Sequence, residues 1–428
     1  MQSGIRIITG DEGDEQMKAL VLAGGFPQIA LIQELKKRNI EVVLADYNAE
    51  PVAKPYADKY YQESTLDVPK IKEIAVSEAV DFLITVCTDQ ALLTVAKVSE
   101  ELGLPCYIDY KTALNVTNKQ YMKDVFMRHG IPTSKYVILR EFDEEKIKGF
   151  RYPLIVKPVD CNSSKGVRRC DNLEELKEFF NEAVKMSRTD TAIIEEFVAG
   201  KELSVDVYVE NGEAKLLDIT TSEKIKDKDK FVIFRTWHPA RISETVVEKI
   251  QDAVQKIADS FVVKNAPMLV QLLTDGDDIY VIEFSARTGG GVKHISIERR
   301  AGVDIVAATV DVTLFGKSDV VVKMPKNKYM VDEYIYCRQG VYDHIEGSDH
   351  LLEQHIISDF YSFKWRGAEF ETIKNSGDRV AGFSIEGDTF DELKEKHDQC
   401  NAVLKVVDIN GSDMMRHDLL EPFDIEES

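Results

Sequence analysis

The sequence predicts an α/β and α+β chain: an N-terminal domain built on a doubly wound parallel sheet, then a module of antiparallel sheets and helices. Three observations predict it. At 428 residues the chain is too long for one hydrophobic core, so several domains are expected. From Met17 onward, short apolar runs alternate with segments of helical periodicity, the pattern of parallel βαβ units. Beyond residue 113 the character changes to closely spaced β-branched runs, two of them flanking Asn211-Gly212, a hairpin dipeptide.

The N-terminal elements follow in order. Lys18–Ala23 reads as a buried strand ending in the Gly24-Gly25 turn, and Ile29–Arg38 as a helix. Glu41–Ala45 is a second strand, Pro69–Glu78 a helix, Asp81–Val86 a strand, Gln90–Leu102 a helix and Leu104–Ile108 a further strand. This domain is placed at 17–112. A helix at Asn118–His129 closes on Gly130-Ile131-Pro132. Strands are predicted at Tyr136–Leu139, Leu154–Lys157, Thr191–Glu196, Leu203–Glu210 and Ala214–Thr220. A helix follows at Ser243–Phe261, then the strands Met268–Thr274 and Ile279–Phe284 joined by an Asp-Gly-Asp turn. This domain is placed at 113–317. A C-terminal α+β subdomain takes 318–428, with a turn at Gly347, a strand at Arg379–Glu386 and a helix at Asp391–Val403.

Composition narrows the function classes. The chain is 44% hydrophobic and 30% charged, with a formal net charge of −21, a balance that argues against a general nucleic-acid or anionic-membrane partner. Cys87, Cys106, Cys161, Cys170, Cys337 and Cys400 form no C-x-x-C pair and read as reduced thiols, which suits the cytoplasm. No apolar run reaches the length of a membrane span. Residues 1–16 carry acidic groups without an apolar core and read as a leader or tag.

The chemistry-bearing residues lie in a set order. Lys119 opens a helix, and Lys157 ends the strand Leu-Ile-Val-Lys. Two converging lysines suit a polyphosphate, although a strand lysine can also be a solvated surface residue. The loop Asn162-Ser163-Ser164-Lys165-Gly166-Val167 can wrap phosphate oxygens or be a plain hairpin turn; it lacks Walker A spacing. Glu195-Glu196-Phe197-Val198 and then Glu202 can seat a base and a ribose, or form an acidic strand edge. Gln271 and Glu283 fall on two adjacent strands, where oxygen ligands suit Mg²⁺ on a triphosphate. Ser285 and Arg287 follow, the arginine placed to neutralise a transferring phosphoryl group. The run Gly289-Gly290-Gly291 permits close backbone approach.

This order resembles the ATP-grasp superfamily over residues 17–317, and the C-terminal part looks like the closing subdomain of carbamoyl-phosphate-synthase-like and L-amino-acid-ligase-like members. The resemblance implies ATP with Mg²⁺, or Mn²⁺ in its place, as cofactors. It implies that Lys119 and Lys157 hold phosphates and that Ser163, Ser164, Lys165, Gly166 and Val167 form a lid. Glu195, Phe197 and Val198 would seat adenine and Glu202 the ribose. Glu283 would bridge metal ions with Gln271 and Ser285, and Arg287, with Lys157, would steady the acyl phosphate. Two positions depart from the family pattern: Gln271 stands where a carboxylate is usual, and Ser285 where asparagine is. The implied activity is an ADP-forming carboxylate–amine or carboxylate–thiol ligase, with an amino acid as the leading carboxylate. Relatives are often dimers, so a homodimer is an expectation. A ligase acting on a non-amino-acid carboxylate and a nucleotide-binding protein that has lost catalysis remain alternatives.

Several other residues invite a reading. Arg235 and His238, in the stretch Phe-Arg-Thr-Trp-His-Pro-Ala-Arg with Trp237 and Arg241, either touch substrate or pack a loop. Asp89 reads as a helix N-cap rather than a catalytic base. His294, after the glycines, could face the acceptor.

Overall fold

The computed structural model describes residues 16–161, 166–225 and 232–420. The expected leader lies outside the described residues apart from Gln16. The first sheet is parallel throughout. Its strands are β1 (Lys18–Leu22), β2 (Glu41–Asp46), β3 (Lys59–Gln62) and β4 (Phe82–Ile84), in the spatial order β3-β2-β1-β4. Helix α1 (Phe26–Lys37) joins β1 to β2, α2 (Val68–Ser77) joins β3 to β4, and α3 (Asp89–Leu102) follows β4. Burial on both faces explains the unbroken apolar runs. Ala19 and Val21 of β1 pack with Leu31, Ile32 and Leu35 of α1, whereas Leu20 and Leu22 point the other way, toward Ile71 of α2 and Val95 of α3.

The strand expected at Leu104–Ile108 is not formed; this stretch is irregular. Gly103 ends α3 in the left-handed conformation, φ +67°, and Pro105 has no N–H to give to a ladder. The chain turns instead into α4 (Tyr110–Thr117), capped by Asp109, and α5 (Lys119–His129), capped by Asn118.

Two antiparallel sheets follow. The smaller has the order β5-β8-β6-β7, from β5 (Tyr136–Leu139), β6 (Leu154–Pro158), β7 (Arg168–Cys170) and β8 (Ala192–Glu196). Helix α6 (Leu173–Met186) covers it through Leu176, Phe180 and Ala183, which pack on Leu154, Val156 and Ile194. The larger sheet begins with β9 (Lys201–Glu210) and β10 (Glu213–Lys224). Asn211 and Gly212 between them take φ of +52° and +87°, as a two-residue hairpin of twisted strands requires. Next come β11 (Ile233–His238), α7 (Glu244–Ser260), β12 (Ala266–Asp275), β13 (Asp278–Ser285), α8 (Lys293–Ala301) and α9 (Ile305–Phe315).

The C-terminal segment holds β14 (Tyr329–Ile335), β15 (Gly340–Glu346), α10 (Ser348–Glu353), β16 (Asp359–Ser362), β17 (Glu369–Phe370), β18 (Ala381–Gly387), α11 (Phe390–Val403) and β19 (Lys405–Asp408). The larger sheet runs β13-β12-β9-β10-β11-β14-β18-β16. It therefore crosses the expected boundary at residue 317, because β14 pairs with β11 from Arg235↔Glu333 to His238↔Met330. Among the described residues no helix is long and apolar enough to cross a membrane.

Candidate active site

The two expected lysines come together through a third that sequence reasoning missed. Asn118 caps α5 and sets its first turn, which places Lys119 and Lys123 on one face, four residues apart. Lys119 Nζ lies 3.2 Å from Glu283 Oε2 and donates to the Cys161 carbonyl at 2.7 Å. Lys123 Nζ lies 2.7 Å from Glu195 Oε1, and Lys157 Nζ lies 2.8 Å from Glu195 Oε2. Lys123 also donates to Thr133 Oγ1, whose hydroxyl donates to the Val281 carbonyl. Burial alone would raise the Glu195 carboxyl, but the two lysines reverse this and hold it at about 2. Burial lowers Lys123, which shares its neighbourhood with Lys157, while Lys157 is raised against burial by Glu195 and Glu283. The Glu195 side chain is thus an anchor between lysines, so only its backbone is left to meet a base. Lys123 was legible as the i,i+4 partner of Lys119.

Strands β12 and β13 place Gln271 directly opposite Glu283, so both side chains leave the same face, and Ser285 shares it two residues on. An amide oxygen, a carboxylate and a hydroxyl fit a hard, oxygen-seeking cation. Among the described residues no three His, Cys, Asp or Glu side chains cluster as a metal cage, so such an ion would need ligands from a bound phosphate as well. The Ser285 hydroxyl also bonds Asp89 and helps to hold that carboxyl low.

Arg287 is anchored from the N-terminal domain. Its Nε and Nη2 donate to the two oxygens of Asp89 at 2.9 and 2.6 Å, and Nη1 donates to the Thr288 carbonyl at 3.0 Å. Burial works to raise the Asp89 carboxyl, and Arg287 overrides it. Asp89 is therefore not the helix N-cap expected of it. Thr88 holds that position without a side-chain bond, and the carboxylate faces the arginine because a buried guanidinium requires a counter-charge. Past Arg287 the glycines are needed: a Cβ on Gly289 would lie 2.8 Å from Lys293 Cγ and 3.1 Å from Asp206 Oδ1. Those two side chains form an ion pair of 2.8 Å. Asp206 was signalled only as a polar interruption of an apolar strand.

The remaining expected residues sit around this centre. Glu202 on β9 pairs with Lys224 on β10. Phe197 donates its N–H to the Pro153 carbonyl and carries the Arg169 guanidinium over its ring at 4.8 Å, and the half-buried Val198 follows. Gly166 takes φ +74°, with Pro158 where a Cβ would be, so it closes the loop beside Lys157; Val167 follows. Ser163, Ser164 and Lys165 lie outside the described residues.

The residues Arg235, Trp237 and His238 belong to β11, not to a loop. His238 is fully buried, with Nδ1 2.5 Å from Asp218 Oδ2 and Nε2 3.0 Å from Asp332 Oδ2. Burial would lower its pKa, but the two carboxylates raise it to about 9. Arg235 is bonded to Glu333, to Glu223 at 3.2 Å and to His397 at 3.2 Å. Trp237 donates to Glu223. Arg241 lies over the Phe390 ring. His294 is buried beside Phe26, ring centroids 5.8 Å apart, and burial lowers its pKa to about 4.

The parallel-sheet domain and the antiparallel sheets, with the lysine cluster between them, define a mixed α/β and α+β fold. Residues 150–295 match the ATP-grasp domain. The chain is similar to the formate-dependent phosphoribosylglycinamide formyltransferase of Ignicoccus hospitalis, 27% identical over 56% of this chain and 62% of that protein. It is similar to the carbamoyl-phosphate synthase of Methanobrevibacter smithii, 28% identical over 42% of this chain and 48% of that protein. The chain thus spans less than two thirds of either relative. The solved L-amino acid ligase from Bacillus licheniformis superposes with a TM-score of 0.77 at 18% identity, covering 92% of this chain and 100% of that one. At that identity the likeness establishes the fold.

Proposed function

We propose that this protein is an ADP-forming ligase that activates a carboxylate as an acyl phosphate and passes the acyl group to an amine or a thiol. The observation that carries the reading is the approach of Lys119 to Glu283 at 3.2 Å, which joins a phosphate-binding cation to an oxygen-donor strand pair. In this reading residues 17–112 contribute the substrate side, 113–317 the ATP-grasp domain and 318–428 the closing subdomain. Mg²⁺-ATP, when bound, supplies the γ-phosphoryl group. Lys119 and Lys157 hold its phosphates, Gln271, Glu283 and Ser285 face the cation, and the backbone at Glu195, Phe197 and Val198 meets adenine, with Glu202 toward the ribose. Water has to be kept from the site, because acyl phosphates are sensitive to it.

A carboxylate oxygen attacks the γ-phosphorus and the bond to the bridging oxygen breaks, leaving ADP. The nucleophile then attacks the acyl carbon, and phosphate leaves carrying the nucleophile's proton. Positioning and charge neutralisation supply the catalysis, with Arg287 and Lys157 on the phosphorylated carboxylate. An amino acid is the leading carboxylate, and the likeness to an amino acid ligase supports it. The relative described as formate-dependent favours a second reading, in which the activated acid is not an amino acid.

The test is ADP and phosphate release with Mg²⁺-ATP against amino acids and other carboxylates, with and without amines, products read by mass spectrometry, beside Glu283→Ala. Carboxylate-stimulated ADP release with a condensed product, lost in the variant, is the expected result. Absence of nucleotide binding overturns the reading.

A further inference from the structure

Arg379 is a cation whose surroundings are built for it but do not neutralise it. The residue stands between a 3₁₀ turn (Ser376–Asp378) and β18, half-buried. Its guanidinium stacks on the Tyr334 ring at 3.6 Å, Nε donates to the Tyr336 hydroxyl at 3.1 Å, and Nη2 donates to the Ile233 carbonyl at 3.3 Å. Tyr336 donates to the same carbonyl at 2.8 Å. All three partners are neutral. Among the described residues no carboxylate lies within 4.0 Å of Arg379, whereas Arg235 has Glu223 and Glu333 and Arg287 has Asp89. Orienting a guanidinium without a counter-charge in a half-buried place costs desolvation that a carboxylate would offset.

The unbonded nitrogen, Nη1, points at the glycine run: a Cβ built on Gly291 would lie 3.3 Å from it and 3.0 Å from the Tyr334 hydroxyl. Gly291 is four residues beyond Arg287, at most roughly 13 Å of extended chain, so Arg379 stands against the same glycine run that follows Arg287. Phe26 of the N-terminal domain packs against Phe363 and Tyr361 at 5.3 and 5.6 Å, and Phe363 lies 6.3 Å from Tyr334, the ring that carries the guanidinium, so an aromatic wall runs on from the cation. A planar fork with a free edge next to an aromatic wall is complementary to a carboxylate carried on an apolar or amphipathic body.

We propose that Arg379 determines substrate specificity by binding a carboxylate that is not phosphorylated, against the aromatic wall formed by Phe26, Tyr334 and Phe363. This rests on the ligase reading, in which the reacting carboxylate belongs at Arg287. The second carboxylate has two sources: the free carboxylate of an amino-acid acceptor, or the far carboxylate of a dicarboxylic donor.

Binding and turnover are measured separately. The twenty amino acids, their carboxamides, succinate and glutarate are titrated calorimetrically into the protein with Mg²⁺-ADP, for wild type, Arg379→Met, Arg379→Lys and Tyr336→Phe; ADP release is followed in parallel. The expected result is an acid bound by wild type that Arg379→Met weakens roughly 10- to 100-fold, the scale of a lost charged hydrogen bond, with partial recovery in Arg379→Lys. Its carboxamide should bind weakly to every form, and Mg²⁺-ADP affinity should be unchanged. An effect on amino acids places the carboxylate on the acceptor, and one on succinate or glutarate places it on the donor. No carboxylate binding to wild type, or equal losses for acid and carboxamide, overturns the proposal. Carboxylate binding that depends on Arg379 without ADP release would retain it and refute the ligase reading.

Discussion

Two charge networks, one where the smaller sheet meets the β13 end of the larger sheet and one on the larger sheet's middle strands, differ in what they leave over. Around Lys119, Lys123 and Lys157 there are three ammonium groups for the two carboxylates of Glu195 and Glu283, and the Glu283 side chain is 28% exposed. Around His238 two carboxylates enclose one imidazolium, and the side chains are 0%, 4% and 1% exposed. The first stays open to solvent through Glu283, as a site for an incoming polyphosphate would. The second is sealed, its hydrogen bonds ending in Ser296 and Ser384, and it joins β10, β11 and β14. A histidine between two aspartates attracts a catalytic reading in sequence; burial makes this one a structural cross-link.

That contrast can be broken experimentally. The largest effect is expected from His238→Leu, which strands two buried carboxylates. It should cost about 3–5 kcal/mol, read as a lowered urea midpoint. Next, Glu283→Ala should reduce ADP release on the order of 100- to 1,000-fold, the scale of losing a charge-stabilising group. Its part-exposed ion pair with Lys119 should shift stability by less than about 1 kcal/mol. A large loss of stability in Glu283→Ala would mean that both networks are structural.

The pH dependence sharpens the comparison. His238 is raised above its unfolded value, so its contribution is complete below about pH 6.5 and is lost as pH rises through about 9. The stability gap between wild type and His238→Leu should therefore narrow between those limits, by on the order of 3 kcal/mol; a gap that widens would contradict an imidazolium. Lys157→Met should weaken Mg²⁺-ADP binding about 10-fold, measured by calorimetry, with Glu195 still paired to Lys123. The smallest effect is expected from Gln271→Glu, which adds a charge opposite Glu283. It should lower the Mg²⁺ concentration for half-maximal ADP release a few-fold.

Much of the fold was legible because its signals are local. The runs of β1 and β2 read as strands because both faces are buried, and β5, from Tyr136 to Leu139, has the bounds expected of it. Lys119, Lys157 and Glu283 were legible as an ordered set of residue types. Asp89 was not, because its partner Arg287 is 198 residues away and the local sequence offers a plausible cap instead. Arg235 and His238 were read as substrate contacts or loop packing; their pairing with β14 depends on a strand about 95 residues on.

What the sequence determined by itself are the features set by short-range periodicity and turn chemistry: the alternation of strand and helix, the Asn211-Gly212 hairpin, and the opposed positions of Gln271 and Glu283 across a tight turn. Only the tertiary structure decided which charges are paired off and which remain available. Glu195 became an anchor, His238 a sealed cross-link and Arg379 a cation without a counter-charge among the described residues, while β14 carried the larger sheet past residue 317. The reason is physical. The availability of an ionised group depends on burial and on partners brought from distant segments, and neither is encoded within one turn of helix or one hairpin.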